Sequence, residues 1–265
     1  MLLLLLLLLI LLLSYLHYQS KLEIRKGLHL ENILTSRKFH MSLEIDRMNS
    51  PTDREQWHMT PQTVNAYYHP NLNEIVFPAA ILQPPFFNSS ADDSINFGSF
   101  GAVVGHEMTH GFDDKGRKFD FEGNMRDWWC PNDAQEYENR ARVMIDQASA
   151  VEVYGLKLNG KLTQGENIAD LGGLKLAYRA LQKTLTCDKP LINGFTPQQR
   201  LFLAWSQLWR QNIKEARAKQ LVTLDPHGPN EWRANGPLTN MTEFYAAFSI
   251  TENDKMFRNE RVDIW

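Results

Sequence analysis

Cysteine is scarce in this chain. Two cysteines, Cys130 and Cys187, occur in 265 residues; they leave one bridge open but rule out a disulfide scaffold, and neither has a second thiol at metal-ligand spacing. The redox compartment is therefore only weakly constrained. Basic runs are missing as well, and 28 basic against 31 acidic residues leave a formal charge of −3, which removes the electrostatic case for a nucleic-acid partner. No internal repeat is present, so a solenoid is excluded. The one long apolar run, Leu2 to Leu13 extended by Ser14-Tyr15-Leu16, is shorter than the roughly twenty residues a spanning helix needs. No basic residue precedes it and no small-residue cleavage site follows it. Three readings compete for it: secretion signal, short signal anchor, or a spurious leader from a wrong start. At 265 residues, 43% of them hydrophobic, the chain can bury a real core, and we expect one large domain.

What is present is a metal motif. In His106-Glu107-Met108-Thr109-His110 the two histidines stand four positions apart, so on a helix both imidazoles reach one cation. Zinc suits that pair, with Glu107 placed as general base and a coordination position left open for substrate. The pentad alone is not decisive. Downstream, Glu166-Asn167-Ile168-Ala169-Asp170 adds a third ligand candidate in Glu166 and, one helical turn later, a carboxylate in Asp170 that can hold a ligand histidine's other ring nitrogen. Asp113, three residues past His110, can do the same for that ring. Taken singly, each carboxylate would read as a helix cap or a solvated charge.

Five ordered blocks then carry a resemblance. They are Val64-Asn65-Ala66-Tyr67-Tyr68; Glu74-Ile75-Val76-Phe77-Pro78 through Pro84-Pro85-Phe86-Phe87; Gly105 through Asp113; Gly165 through Gly173; and Asp225-Pro226-His227-Gly228-Pro229 with Arg233 beyond. In these the chain resembles the neprilysin-like zinc endopeptidases, peptidase family M13. The resemblance implies an α+β, helix-rich, thermolysin-like (gluzincin) catalytic domain with a small N-terminal β-hairpin, spanning 30–265 after a leader and linker at 1–29. It implies one Zn²⁺ per chain held by His106, His110 and Glu166, with Glu107 as base and Asp170 in a supporting role often written as proton donor. His227 would stabilise the oxyanion, Arg233 would grip a substrate carbonyl, and Asn65 with Ala66 would bind the peptide main chain. Family members are much longer, and by this resemblance the helical lobe that covers the active site in relatives is expected to be missing from this sequence. Animal members carry a cysteine near the C-terminal Trp; Arg261-Val262-Asp263-Ile264-Trp265 has none and looks more like the bacterial branch.

The residues support a physical reading beside this one. Thr63 to Tyr68 and Asn73 to Phe77 are β-rich runs around His69-Pro70-Asn71-Leu72, which predicts a hairpin whose open edge can take an extended peptide. His227 lies between Pro226 and Gly228-Pro229, a segment that cannot continue a helix and reads as a loop of fixed shape. Gly98, Gly101 and Gly105 lower helix propensity before the pentad but permit close packing. Gly111 is expected to end that helix. Thr196-Pro197-Gln198-Gln199 offers a capping box, and Leu201, Trp205, Leu208, Trp209 and Ile213 form a core stripe behind it. Trp128-Trp129 and Phe244-Tyr245 with Phe248 are expected to pack. Asn88-Ser89-Ser90 and Asn240-Met241-Thr242 are glycosylation sequons, usable only in a secretory setting. The expected function is a zinc metalloendopeptidase acting on peptides, secreted or anchored through residues 2–16 with an extracytoplasmic catalytic domain. The competing class is a catalytically weak, peptidase-like binding module. Oligomeric state and the physiological peptide are not readable.

Overall fold

The hydrophobic run at residues 2–16 and Cys187 lie outside what the computed structural model describes, which is residues 22–185 and 191–264. Among the described residues no helix is long and apolar enough to cross a membrane. The chain divides into two compact units, Met1–Gln56 and Trp57–Trp265. The described part of the first is built on α1 (His29–Arg47), which buries none of its residues; Leu30, Leu34, Met41 and Ile45 stay exposed along it.

The second unit opens on the expected hairpin, shorter than its sequence suggested. β1 (Tyr67–His69) pairs antiparallel with β2 (Glu74–Val76) in the register Tyr67↔Val76, Tyr68↔Ile75, His69↔Glu74. Thr63 does not join the strand, because its N–H bonds Thr60 O at 3.0 Å and its hydroxyl meets that of Thr60. That turn leaves Asn65 and Ala66 at the shoulder of β1 rather than in the ladder.

From α2 (Asp93–Asn96), capped by the Asp92 carboxylate, the chain passes through one π-helical turn (Phe97–Gly101) into α3 (Ala102–His110), which carries the pentad. A Cβ on Gly98 would stand 2.1 Å from the Leu201 carbonyl oxygen, so only glycine lets this turn lie against the helix that contains Leu201. Gly101 faces no such limit, its imagined Cβ meeting nothing nearer than 3.4 Å. Gly111 follows the last helical residue as expected, yet with a right-handed φ of −62°. No left-handed cap forms there, so glycine is not required for its φ.

Two long helices supply most of the core. α4 (Pro131–Ser149) is capped by Cys130, whose Sγ accepts from Asp133 N at 3.4 Å, and buries Tyr137, Ala141, Met144 and Ala148. That spacing is one helical face. A small hairpin, β3 (Glu152–Val153) with β4 (Leu156–Lys157), returns the chain to α5 (Gln164–Thr184), whose first half is buried almost throughout. α6 (Pro197–Leu208) forms with the predicted capping box between Thr196 and Gln199. Leu201 and Trp205 are core as expected, and Trp209, just past the helix end at Leu208, still packs on Trp205 with ring centroids 5.2 Å apart, whereas Ile213 lies beyond the helix. Short helices α7 (Glu215–Leu224), α8 (Asn230–Asn235) and α9 (Thr242–Phe248) complete the unit.

Phe202 sits at the centre of an aromatic cluster with Tyr178 and Phe244, ring centroids 5.7 and 5.5 Å away, and Phe248 joins it. Burying such a ring contributes roughly 3–5 kcal/mol against alanine. Trp129 packs edge-on against Tyr137, while Trp128 stays half exposed with its Nε1 donating to Phe119 O at 2.9 Å. The second sequon is corrected by its burial. Asn240 bonds Gln147 through both side-chain atoms, donates to Gly236 O and accepts from Val262 N. With its amide fully used inside the core, it offers no acceptor nitrogen in the folded state; Asn88 stays exposed.

Candidate metal centre

The site is made where α3 crosses α5, and glycines set the crossing distance. A Cβ on Gly173 would lie 2.5 Å from both Ala102 O and His106 N, one on Gly105 2.7 Å from Gly173 O, and one on Gly172 2.6 Å from the Thr109 side chain. Backbone therefore meets backbone, which brings side chains of the two helices to one point.

At that point His106 Nε2 and His110 Nε2 stand 2.9 Å apart, with Glu166 Oε2 at 3.3 and 3.7 Å from them. The other ring nitrogens are both taken: His106 Nδ1 meets Asp170 Oδ1 at 2.8 Å and His110 Nδ1 meets Asp113 Oδ2 at 2.7 Å. Those carboxylates accept the Nδ1 protons, so in neutral rings each Nε2 presents a lone pair. Glu166 Oε2 is buried without a hydrogen bond. Three electron-pair donors facing one another in a buried place repel unless a cation lies among them. Around tetrahedral zinc, with bonds of roughly 2.0–2.1 Å, donor atoms stand about 3.3 Å apart, and the three separations observed here bracket that value. The donor set fits zinc, and among the described residues it is the one group of three or more such side chains close enough to share an ion.

The supporting carboxylates are fixed in turn. Asp113 Oδ1 accepts from Lys115 N and Gly116 N at 2.8 and 2.7 Å, in a turn so tight that a Cβ on Gly116 would overlap His110 O. Asp170, 1% exposed, receives Arg233 Nε on Oδ2 at 2.8 Å and Nη2 on Oδ1 at 2.7 Å. The Arg233 guanidinium lies 3.9 Å over the Trp209 ring. Trp209 and Asp225, whose Oδ1 meets His227 Nδ1 at 2.7 Å, are participants the sequence reading missed. Asp225 had a local signal, lying two residues before His227; Trp209 was masked by its helical spacing. The segment bearing His227 and Arg233 is anchored by Trp232, whose Nε1 donates to Asn167 Oδ1 at 2.8 Å and whose ring fills the space a Gly228 side chain would need.

One cavity of about 570 Å³ gathers these groups. His106, His110, Glu166, Glu107, Asp113 and Asp170 line it, as do His227, Arg233, Asn65 and Ala66. The ten candidate site residues named from the sequence therefore line the same cavity. His227 Nε2 reaches 3.3 Å from Glu166 Oε2, while Asn65 is exposed at the rim.

Electrostatics differ sharply within the cluster. Burial lowers the His106 pKa, but the hydrogen bond to Asp170 and the nearby negative charges of Asp170 and Glu166 overturn that and push it up to about 10. For Glu166 burial acts upward, yet contact with His106 and the charges of His110 and His227 hold the carboxyl well below the usual range. Asp170 is likewise raised by burial and brought below normal by Arg233 first and His106 second. Glu107, 5% exposed, goes the other way: burial raises it, His106 and His110 pull it down, Glu166 adds to the rise, and it ends above an ordinary glutamate.

Comparison with known proteins agrees with this geometry. The model of peptidase family M13 matches residues 65–264. An endothelin-converting enzyme homolog of Locusta migratoria is 39% identical over 248 residues, covering 92% of this chain and 34% of its own length. Human endothelin-converting enzyme 1 is 41% identical over 244 residues, covering 90% and 31%. The crystal structure of Mycobacterium tuberculosis zinc metalloprotease Zmp1 in complex with inhibitor superposes with a TM-score of 0.87 at 45% identity, over 89% of this chain and 37% of that one. The chain thus spans about a third of the length of the curated relatives it matches.

Proposed function

The chain belongs to peptidase family M13, and from that premise we propose that it is the catalytic part of a zinc endopeptidase that hydrolyses peptides. The observation that carries this is the convergence of His106, His110 and Glu166 on one point of a cavity that Glu107 also lines. When bound, Zn²⁺ supplies Lewis acidity and a water that ionises near neutral pH.

The chain's own residues do the rest. Glu107, unpaired in the cavity wall and raised by burial, takes a proton from the attacking water and delivers it to the leaving amine, a transfer best served by a pKa moved toward neutrality. Asp170 and Asp113 orient the two imidazoles. With both Asp170 oxygens engaged and its pKa lowered, we assign it to positioning rather than proton donation. Asp225 accepts from His227 Nδ1, so Nε2 donates only from a charged ring; a charged ring is what the developing negative charge on the scissile carbonyl oxygen favours. Arg233 commits Nε and Nη2 to Asp170 and meets the substrate through Nη1. Asn65 and Ala66 bind the peptide main chain at the open side of β1, whose other side is paired with β2.

Cleavage of a short quenched peptide by soluble, zinc-loaded protein, abolished by a chelator and restored by zinc, tests this reading. Zinc-loaded protein that binds such peptides but cuts none would overturn it in favour of a binding module.

A further inference from the structure

Beside the metal centre lies a second cavity of about 600 Å³, and the two share a wall made by Asp114 and Lys115. Its charge is one-sided. Lys115, Arg117, Lys118, Arg142 and Lys161 line it against only Asp114 and Glu138. In a chain of net charge −3, that local excess of cations reflects placement and not composition.

Few of these charges are neutralised from within. Arg117 Nη2 pairs with Glu138 at 3.0 Å, and Lys161 Nζ reaches only the amide oxygen of Gln164 at 3.4 Å. Among the described residues Lys115, Lys118 and Arg142 have no ion-pair partner within 4.0 Å. Arg117 is the fixed member of the set. Its side chain is 10% exposed, lies over the Trp129 and Tyr137 rings at 5.6 and 4.9 Å, and leaves Nε buried without a hydrogen bond. The concave, ring-backed wall concentrates the field of Arg117, while Lys115, Lys118, Arg142 and Lys161 are exposed, partly screened by solvent, and are the members an entering group can reach.

We propose that this cavity is a subsite for a carboxylate of the substrate, the side chain of an Asp or Glu flanking the scissile bond, so that the enzyme prefers acidic peptides. The proposal rests on the peptidase reading and names a substrate class for it. A peptide running through the metal cavity past Asp114 and Lys115 places a neighbouring side chain at the mouth of the second cavity, where Lys118, Arg142 and Lys161 receive it.

Quenched peptides in which one Glu is walked across four positions on each side of the scissile bond, each matched with its Gln counterpart, test the subsite. The expected result is a preference for Glu of about fivefold in kcat/KM, confined to one or two adjacent positions and shrinking at about 0.5 M salt. It should vanish in the Lys118→Gln, Arg142→Gln, Lys161→Gln triple variant, with cleavage of the Gln peptides, zinc content and thermal unfolding unchanged. Equal rates for Glu and Gln peptides, a preference spread evenly over all positions, or one that survives the triple variant would overturn it. If no peptide is cut, the peptidase reading fails while the subsite is still decided by fluorescence anisotropy. A labelled Glu-containing tetrapeptide should then bind wild type about fivefold more tightly than its Gln twin, and equal binding would reject the subsite.

Discussion

The two walls of the metal cavity are held in different ways. The helical wall, from α3 and α5, is set by backbone against backbone at Gly105 and Gly173, and its functional side chains are nearly closed off: His106 is 10% exposed and Asp170 1%. The loop wall carries His227, 46% exposed and held by Asp225 two residues away, and Asn65 at the shoulder of a three-residue strand. The first is a packing constraint, intolerant of a methyl group. The second is a matter of local hydrogen bonds, which can be loosened without disturbing the fold. Metal affinity should therefore depend on the helical wall, and the rate of a loaded enzyme on Glu107 and the loop.

Five measurements sharpen or break that contrast. The largest effect is expected for Glu107→Gln, which should keep zinc but lower kcat on the order of a thousandfold; zinc by mass spectrometry with near-normal turnover would remove Glu107 from the mechanism. Next comes Gly173→Ala. Its Cβ would meet backbone at 2.5 Å, so we expect about 3 kcal/mol of destabilisation and loss of bound zinc, read by denaturant unfolding and metal content. A fully stable, zinc-loaded variant would show that the crossing is not set by this contact.

On the loop wall, His227→Ala should retain zinc and stability while kcat falls about a hundredfold. If zinc is lost as well, the two walls are not independent. Asp113→Asn removes the carboxylate that holds His110, and zinc affinity should weaken roughly tenfold, measured by competition with a fluorescent chelator.

The smallest effect is a proton. In the metal-free protein the His106 pKa is raised to about 10, so the stabilisation from its charged ring is fully present below the unfolded value of about 6.5 and is lost as pH rises through the folded one. Zinc requires the neutral ring. At about pH 8, binding should release about one proton, and affinity should rise with pH across that window. Calorimetry in buffers of different ionisation enthalpy checks this; no buffer dependence would show His106 already neutral.

Much of this site was legible in the chain because helical ligands follow a local rule. Four-residue spacing puts His106 with His110 and Glu166 with Asp170, and the capping box at Thr196 announced itself in the same way. Periodicity was silent on second roles. Trp209 keeps its contact with Trp205 although α6 ends at Leu208, and the same indole also lies under the Arg233 guanidinium, which no spacing announces. The first strand came out shorter than its β-rich run because the Thr60–Thr63 turn, closed by a backbone and a side-chain contact, removes Thr63 from the ladder. Asn240 read as a glycosylation sequon, and only its four hydrogen bonds inside the core revealed that its amide is occupied.

By itself the sequence determined which side chains could serve as ligands, base and supports, since those roles follow from residue type and from spacing along a helix. The tertiary structure alone decided that two such helices meet closely enough to share an ion. It also decided that Arg233 would close on Asp170 from 63 residues away and that a basic cavity would lie against the metal one. The physical reason is range. Spacing acts over one or two helical turns, whereas crossing distance depends on which backbones touch, and that is fixed where Gly105 and Gly173 face each other.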